Sequence, residues 1–153
     1  MPALQNLIAE HQFAHGLTLQ HLGILAKGAV LEHYRAQQVI FREGGQAHVF
    51  YLIHQGAVSL EAFVAGKGTI TIETVGVGDS LGWSWLFAPY QWHFTATATA
   101  PTELIGFEAD HLRRQIEANA DFGREILWRV SSLLLRRLLA TRAQLLAFYG
   151  VHD

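Results

Sequence analysis

Residues 78–94, GDSLGWSWLFAPYQWHF, gather most of the side chains in this chain that could do chemistry. Ser84, His93 and Asp79 are its Ser/His/Asp set close in sequence, the types that nucleophilic acyl transfer would need within hydrogen-bond reach of one another. The surroundings do not support that chemistry. The chain has no nucleophile elbow, no paired-carboxylate motif and no phosphate-binding glycine loop ending in lysine. Asp79, in Gly-Asp-Ser, reads as a residue that closes a turn through its own side chain. We expect no enzyme. Three of the four tryptophans, Trp83, Trp85 and Trp92, also lie here, with Tyr90 beside them. Such rings either cover a bound ligand or fill a core, because aromatic side chains bury much area in both roles.

Nine histidines raise the question of a metal. His48 and His54 fall on one extended run, where six residues of strand separate them by about 20 Å, too far to share an ion within one copy. His-x-His followed closely by Glu, the pattern of metal-binding cupins, does not occur in HVFYLIHQGAVSLE. His11, His15 and His21 are spread over a loop and a helix start and read as surface residues. No metal site is expected. From Arg113 to Arg142 there are seven arginines against Glu117, Asp121 and Glu125, the usual texture of a solvated helix face with i, i+4 pairs.

These residues must be positioned by a chain of 153 residues, long enough for one domain with a real core. Half the residues are hydrophobic and 16% charged, which suits a compact fold. A net charge of −2 predicts no broad attraction to nucleic acid or acidic membranes. The absence of cysteine excludes disulfides, zinc–thiolate sites and thiol chemistry. The first residues show no basic region followed by an apolar run, and no apolar run is long enough to span a bilayer. Cytoplasm is the expected location.

Thr18 can cap a short helix in LQHLGILAKGA. From about residue 38 come short β-rich runs broken by glycine-containing turns: QVIFREGG, HVFYLIHQG, AVSLEAFVAG and TITIETVG, then HFTATATA and ELIGFEA on either side of Pro101. Thr69 to Val75 alternates as a half-buried strand would. Strands of this length and spacing suggest a sandwich or roll. After Asp110 follow a short helix, HLRRQIEANA, and a long one from Phe122 to about Phe148 that Asp121 can cap. Ile126, Val130, Leu134, Leu138 and Leu145 trace an apolar stripe along it. Leu127, Leu133, Leu135, Leu139 and Leu146 widen that stripe beyond the needs of one sheet face, so a second copy is the expected partner.

In three blocks, taken in order, the chain resembles the cyclic-nucleotide-binding domain of the catabolite activator (CRP/FNR) regulators. The blocks are QVIFREGGQAHVFYLIHQGAVSLE (38–61), VGVGDSLGWSWLF (75–87) and NADFGREILWRVSSLLLRRLLATRAQLL (119–146). The resemblance runs from about Phe13 to Tyr149. It implies an α+β, mainly β fold: a jelly roll of about eight strands, a short N-terminal helical part and a long dimerising C-terminal helix. We read residues 1–153 as a single domain, with the roll at about 38–109 and the C-terminal helices at about 110–148. Regulators of this family carry a helix-turn-helix domain after the long helix. None precedes Asp153, so sequence-specific DNA binding by this chain alone is not expected.

A cyclic nucleotide needs an anion site, best built from backbone N–H groups and an arginine fork, and an acceptor for the ribose hydroxyl. The family's cassette, Gly-Glu-x-x-Leu followed about ten residues later by Arg, resembles this stretch when aligned on Gly82. That places Trp83 at the glutamate position and His93 at the arginine position. An indole N–H only donates, and a histidine lacks the bidentate fork. Ser84, Trp85 and the backbone after Gly82 can still cradle a small anion, with Phe94 and Thr95 following His93. GWSWLFAPY resembles a cassette variant among regulators of this family. Thr141 matches the family's C-helix hydroxyl that reaches the base, Arg142 follows it, and Arg136 and Arg137 match an arginine pair, structural or pocket-side. The candidate ligand is thus a cyclic nucleotide or another small anion, bound by Gly82, Trp83, Ser84, Trp85, His93, Phe94, Thr95, Thr141 and Arg142, in a homodimeric module that signals to a regulatory partner. The alternative is a ligandless dimerisation scaffold whose pocket the aromatics fill.

Overall fold

The computed structural model describes residues 4–150. Three short N-terminal pieces come first: α1 (Leu4–Glu10), a 3-10 turn (Gln12–Ala14) and α2 (Leu19–Ala26). Thr18 caps α2 as expected, its Oγ1 accepting from the His21 N–H at 3.1 Å. Seven strands follow: β1 (Val30–Tyr34), β2 (Val39–Phe41), β3 (Val49–Gln55), β4 (Ala57–Val64), β5 (Gly68–Gly76), β6 (Thr95–Ala98) and β7 (Thr102–Glu108). They form two antiparallel sheets, β1-β7-β3 and β2-β6-β4-β5, with isolated bridges at Gln46–Gln91 and Leu52–Ser80. The chain ends in α3 (Ala109–Ala118) and α4 (Ala120–Phe148). This is the expected mainly β roll between a short helical start and a long final helix.

Two boundaries differ from the sequence reading. The roll begins at Val30 rather than about residue 38, because VLEHY pairs with Thr102–Gly106 of β7 as an edge strand. And α4 is capped by Asn119, not Asp121: the Asn119 Oδ1 accepts from the Phe122 N–H at 3.0 Å, while Asp121 lies in the first turn. The tight α3–α4 corner selects that cap. A Cβ on Gly123 would fall 2.4 Å from the Ile116 carbonyl, so only glycine lets the helices meet so closely.

The core draws on both sheets, with Val58, Leu60, Val75 and Ala96 from the four-stranded one, and on the helices packed against the three-stranded one. Phe50 is its centre, 5.0 Å from the Phe13 ring, 4.8 Å from Trp85 and 5.6 Å from Phe107. Only the first half of α4 joins it, through Phe122, Ile126, Val130 and Leu133 at steps of three and four residues. Leu134 packs partly against the same core. Beyond it the apolar stripe comes free: Leu138 is 65% exposed and Leu145 57%. That half of α4 runs beside β5, where Arg137 pairs with Glu73 at 2.8 Å and Gln144 donates to the Ile72 carbonyl at 3.3 Å. Among the described residues Ile70 and Ile72 of β5 stay nearly half exposed.

His11 pins the N-terminal turn to the roll and is not the surface residue that its place in the sequence suggests. It is buried; its Nδ1 accepts from the Phe13 N–H, so Nε2 must carry the proton donated to the Ile53 carbonyl at 3.1 Å. Burial holds its pKa below 6.5, offset in part by the hydrogen bond to the Ile53 carbonyl and by the Asp79 carboxylate, while His54 and His15 push it further down. The neutral form fits the fold, so His11 contributes stability above pH 6.5 that is lost as pH falls from there toward its depressed folded value. Urea denaturation of the wild type and of His11→Gln between pH 7.5 and 5 checks this. The wild type should lose more stability than the variant over that range; parallel curves would refute the role.

Candidate functional site

The cassette segment leaves β5 through a turn that Asp79 closes, its Oδ2 accepting from the Gly76 N–H at 3.1 Å, as read from Gly-Asp-Ser. Residues 81–94 then cross the roll as turns and return into β6. Gly82 sits at a φ of +85° with its Cα against the Phe94 ring, where an added Cβ would approach to 2.9 Å. Both the left-handed backbone and the close ring require glycine there.

Ser84 and His93 meet: Ser84 Oγ lies 3.1 Å from His93 Nδ1. Ser84 is buried and His93 is exposed, so the imidazole is anchored from below and presents its outer edge to solvent. The tryptophans divide. Trp85 is fully buried, stacked on Phe50, and its indole N–H has no hydrogen-bond partner among the described residues. Trp92 is buried and stacked on Phe41 at 3.7 Å, with Phe94 tilted beside both. Trp83 is half-buried at the edge of the core. Thr95 opens β6 and its Oγ1 accepts from the Glu43 N–H at 2.9 Å, tying it to the β2–β3 turn.

Thr141 and Arg142 lie on the exposed second half of α4. Thr141 follows Arg137 by one turn and precedes Gln144 by another, on the helix face that touches β5. The structure thus brings Gly82, Ser84, His93 and Phe94 together, and sets Thr141 on the α4 face turned to the roll beside β5.

Two functional contacts were missed. Arg113 of α3 donates to the Trp85 carbonyl and covers the Tyr90 ring at 4.1 Å, clamping the cassette loop from outside. In sequence it reads as one of the seven arginines of a solvated helix face; it also pairs with Asp110, at 3.6 Å. Glu73 on β5 occupies the Arg137 guanidinium, so that arginine is already neutralised by the roll. Among the described residues no group of three or more His, Asp or Glu side chains is placed to hold a metal ion. No helix among them is long and apolar enough to cross a membrane.

A roll of two antiparallel sheets, a glycine-led cassette between β5 and β6, and a long helix laid against β5 are the parts of one known design. The cyclic nucleotide-binding domain model matches residues 31–119, more than half of the chain. The chain belongs to the cyclic nucleotide-binding domain family. Within that family it is similar to a cyclic nucleotide-binding-like protein from Brucella abortus at 31% identity, over 74% of this chain and 97% of that one, with a TM-score of 0.60. It is similar to a putative cyclic nucleotide-binding protein from Geobacter metallireducens at 26% identity, over 90% and 98% of the two chains, with a TM-score of 0.75. The sensor domain of the transcriptional regulator DNR from Pseudomonas aeruginosa shares the fold at 22% identity, over 88% and 91%, with a TM-score of 0.70. No curated protein matches the sequence.

Proposed function

We propose that this cyclic nucleotide-binding domain is a dimerising regulatory module of the cytoplasm that reads a small anion at the rim of its cassette instead of a cyclic purine nucleotide. The observation that supports the reading is the Ser84–His93 hydrogen bond, which anchors an exposed imidazole where the family resemblance expects an arginine. The backbone after Gly82 and Ser84 supplies further donors, and Trp83 flanks them. Phe94 and Thr95 follow His93 along the segment, and Thr141 and Arg142, on the exposed second half of α4, are the residues that would close over the ligand. The aromatic packing of the segment argues against a purine. Phe94 closes on Gly82, and Trp92 and Phe41 stack at van der Waals distance. No side chain here is assigned a catalytic role.

An anion on His93 would pull the 82–94 segment against α3, because Arg113 already holds the Trp85 carbonyl. α3 turns directly into α4 at the Asn119 cap, so the pull changes how α4 lies on β5 and what it offers a regulatory partner. Chemical-shift titration with inorganic phosphate tests the assignment: the His93 ring and the Ser84 and Trp85 amides should move first. Shifts confined to other segments, or none, would sink it.

The second reading is a ligandless dimerisation scaffold. The full burial of Trp85 and the Trp92–Phe41 stack favour it, since these rings serve as core. Both readings share the dimer. Leu138, Leu145 and Tyr149 are each more than half exposed and recur along α4 at steps of seven and four residues, a heptad seam for a second copy.

A further inference from the structure

Outside the cassette, the N-terminal 3-10 turn and the first half of α4 enclose a groove of about 770 Å³, lined by Gln12, Phe13, His15 and α4 residues from Arg124 to Arg136. Pockets that take small organic ligands span roughly 300–1,000 Å³ and combine an apolar lining with a few placed polar groups. This groove has both. Phe13, Trp128, Leu133 and Leu135 supply apolar wall. Its ionisable lining is three arginines, one histidine and a single carboxylate, Glu125.

The charges are not equivalent. Glu125 is taken by Arg129, which also donates to the His15 carbonyl and so serves to hold α4 to the N-terminal turn. Arg124 reaches Asp121 at 3.6 Å. The His15 ring meets the Glu10 carbonyl. Arg136 alone of the three arginines has neither hydrogen bond nor ion pair among the described residues. It also borders a second, much smaller cavity with Asp79, Ser80, Leu133 and Arg137, and the Asp79 carboxylate there is engaged by the Gly76 N–H. The groove is therefore an apolar trough with one uncommitted guanidinium at its end.

We propose that this groove binds an amphipathic organic anion, with a carboxylate or phosphate head on Arg136 and an apolar body along Phe13, Leu133 and Leu135. Such a ligand would bridge the N-terminal turn and α4, and its head would lie beside the turn that opens the cassette. The site is independent of the anion reading of His93.

The test is calorimetric titration of the full chain with dodecanoate and with dodecyl phosphate, dodecanol serving as the headless control. Both anions should bind, one preferred head naming the source, and dodecanol should bind at least tenfold more weakly. Arg136→Gln should weaken the anions about tenfold, and Arg136→Lys should recover part of that loss. Ser132→Trp, which fills the groove from an exposed position, should abolish binding while melting curves show an intact fold. Equal binding of dodecanol, or no effect of Arg136→Gln, would overturn the head-group assignment and with it the proposal. Competition by cyclic AMP would move the ligand to the cassette. Binding to a monomeric variant but not to the wild type would give the groove to the second copy.

Discussion

Leu138→Glu combined with Leu145→Glu is expected to convert the protein from twice the 17.0 kDa chain mass to the chain mass itself in light scattering. Both leucines are more than half exposed in the single chain, so a charge there meets water and not core. Glutamate is a good helix former, so α4 should persist. In a two-helix seam the same change places like charges opposite each other and removes two apolar contacts per copy, while leaving carboxylates facing a dry interface. The fold should melt as a monomer with its cassette intact. Leu134→Glu is the instructive contrast. Leu134 packs partly against the core of its own chain, so that variant should lower stability without isolating the dimer contact. An unchanged mass for the double variant would place the interface elsewhere, on the β4–β5 hairpin with its exposed Phe63, Ile70 and Ile72.

The second large effect concerns Trp85. Truncation to alanine is expected to cost about 3–5 kcal/mol of stability, the range for deleting a buried aromatic side chain. The ring is fully buried against Phe50 at the centre of the core, so its loss opens a cavity that neighbouring elements cannot fill. Trp85→Phe should retain much of that stability, because the indole N–H makes no hydrogen bond among the described residues. Urea denaturation of the three proteins measures it. This pair separates core from ligand cover: a ring that stacks on a ligand would change affinity and leave the denaturation midpoint nearly in place. A small stability loss in Trp85→Ala would return Trp85 to the binding surface.

Much of this architecture can be read from residues alone, and the failures have physical reasons. Strands β2 to β7 announce themselves through β-rich runs between glycines and Pro101; in β5 the sequence alternates but the burial does not, because the pairing with β4 slips by one residue at Ile72 and only Val75 is buried. β1 is hidden because VLEHY follows a leucine pattern at helical spacing, and only its pairing with β7 makes it a strand. Asn119 and Asp121 are equally good caps in sequence; the Gly123–Ile116 contact chooses between them. Within the cassette, Gly82, Ser84 and His93 can be placed by resemblance to a family pattern. Which tryptophans are core cannot, since a loop has no periodicity to say which side chains point inward. Trp85 and Trp92 go into the core, and Trp83 stays at its edge. For α4, the stripe marks the apolar residues but not where the roll ends beneath them. That point is near Leu134, beyond which the stripe becomes a free seam.

The central claim is that the Trp83 and His93 cassette has exchanged a cyclic purine for a small anion. Titration calorimetry of the wild type and His93→Ala with inorganic phosphate, cyclic AMP, cyclic GMP and cyclic dinucleotides tests it most directly. The account predicts heat from phosphate that His93→Ala removes, and none from the purine nucleotides. Saturable binding of cyclic AMP or cyclic GMP to the wild type would contradict it, and silence from every anion would leave the scaffold reading in its place.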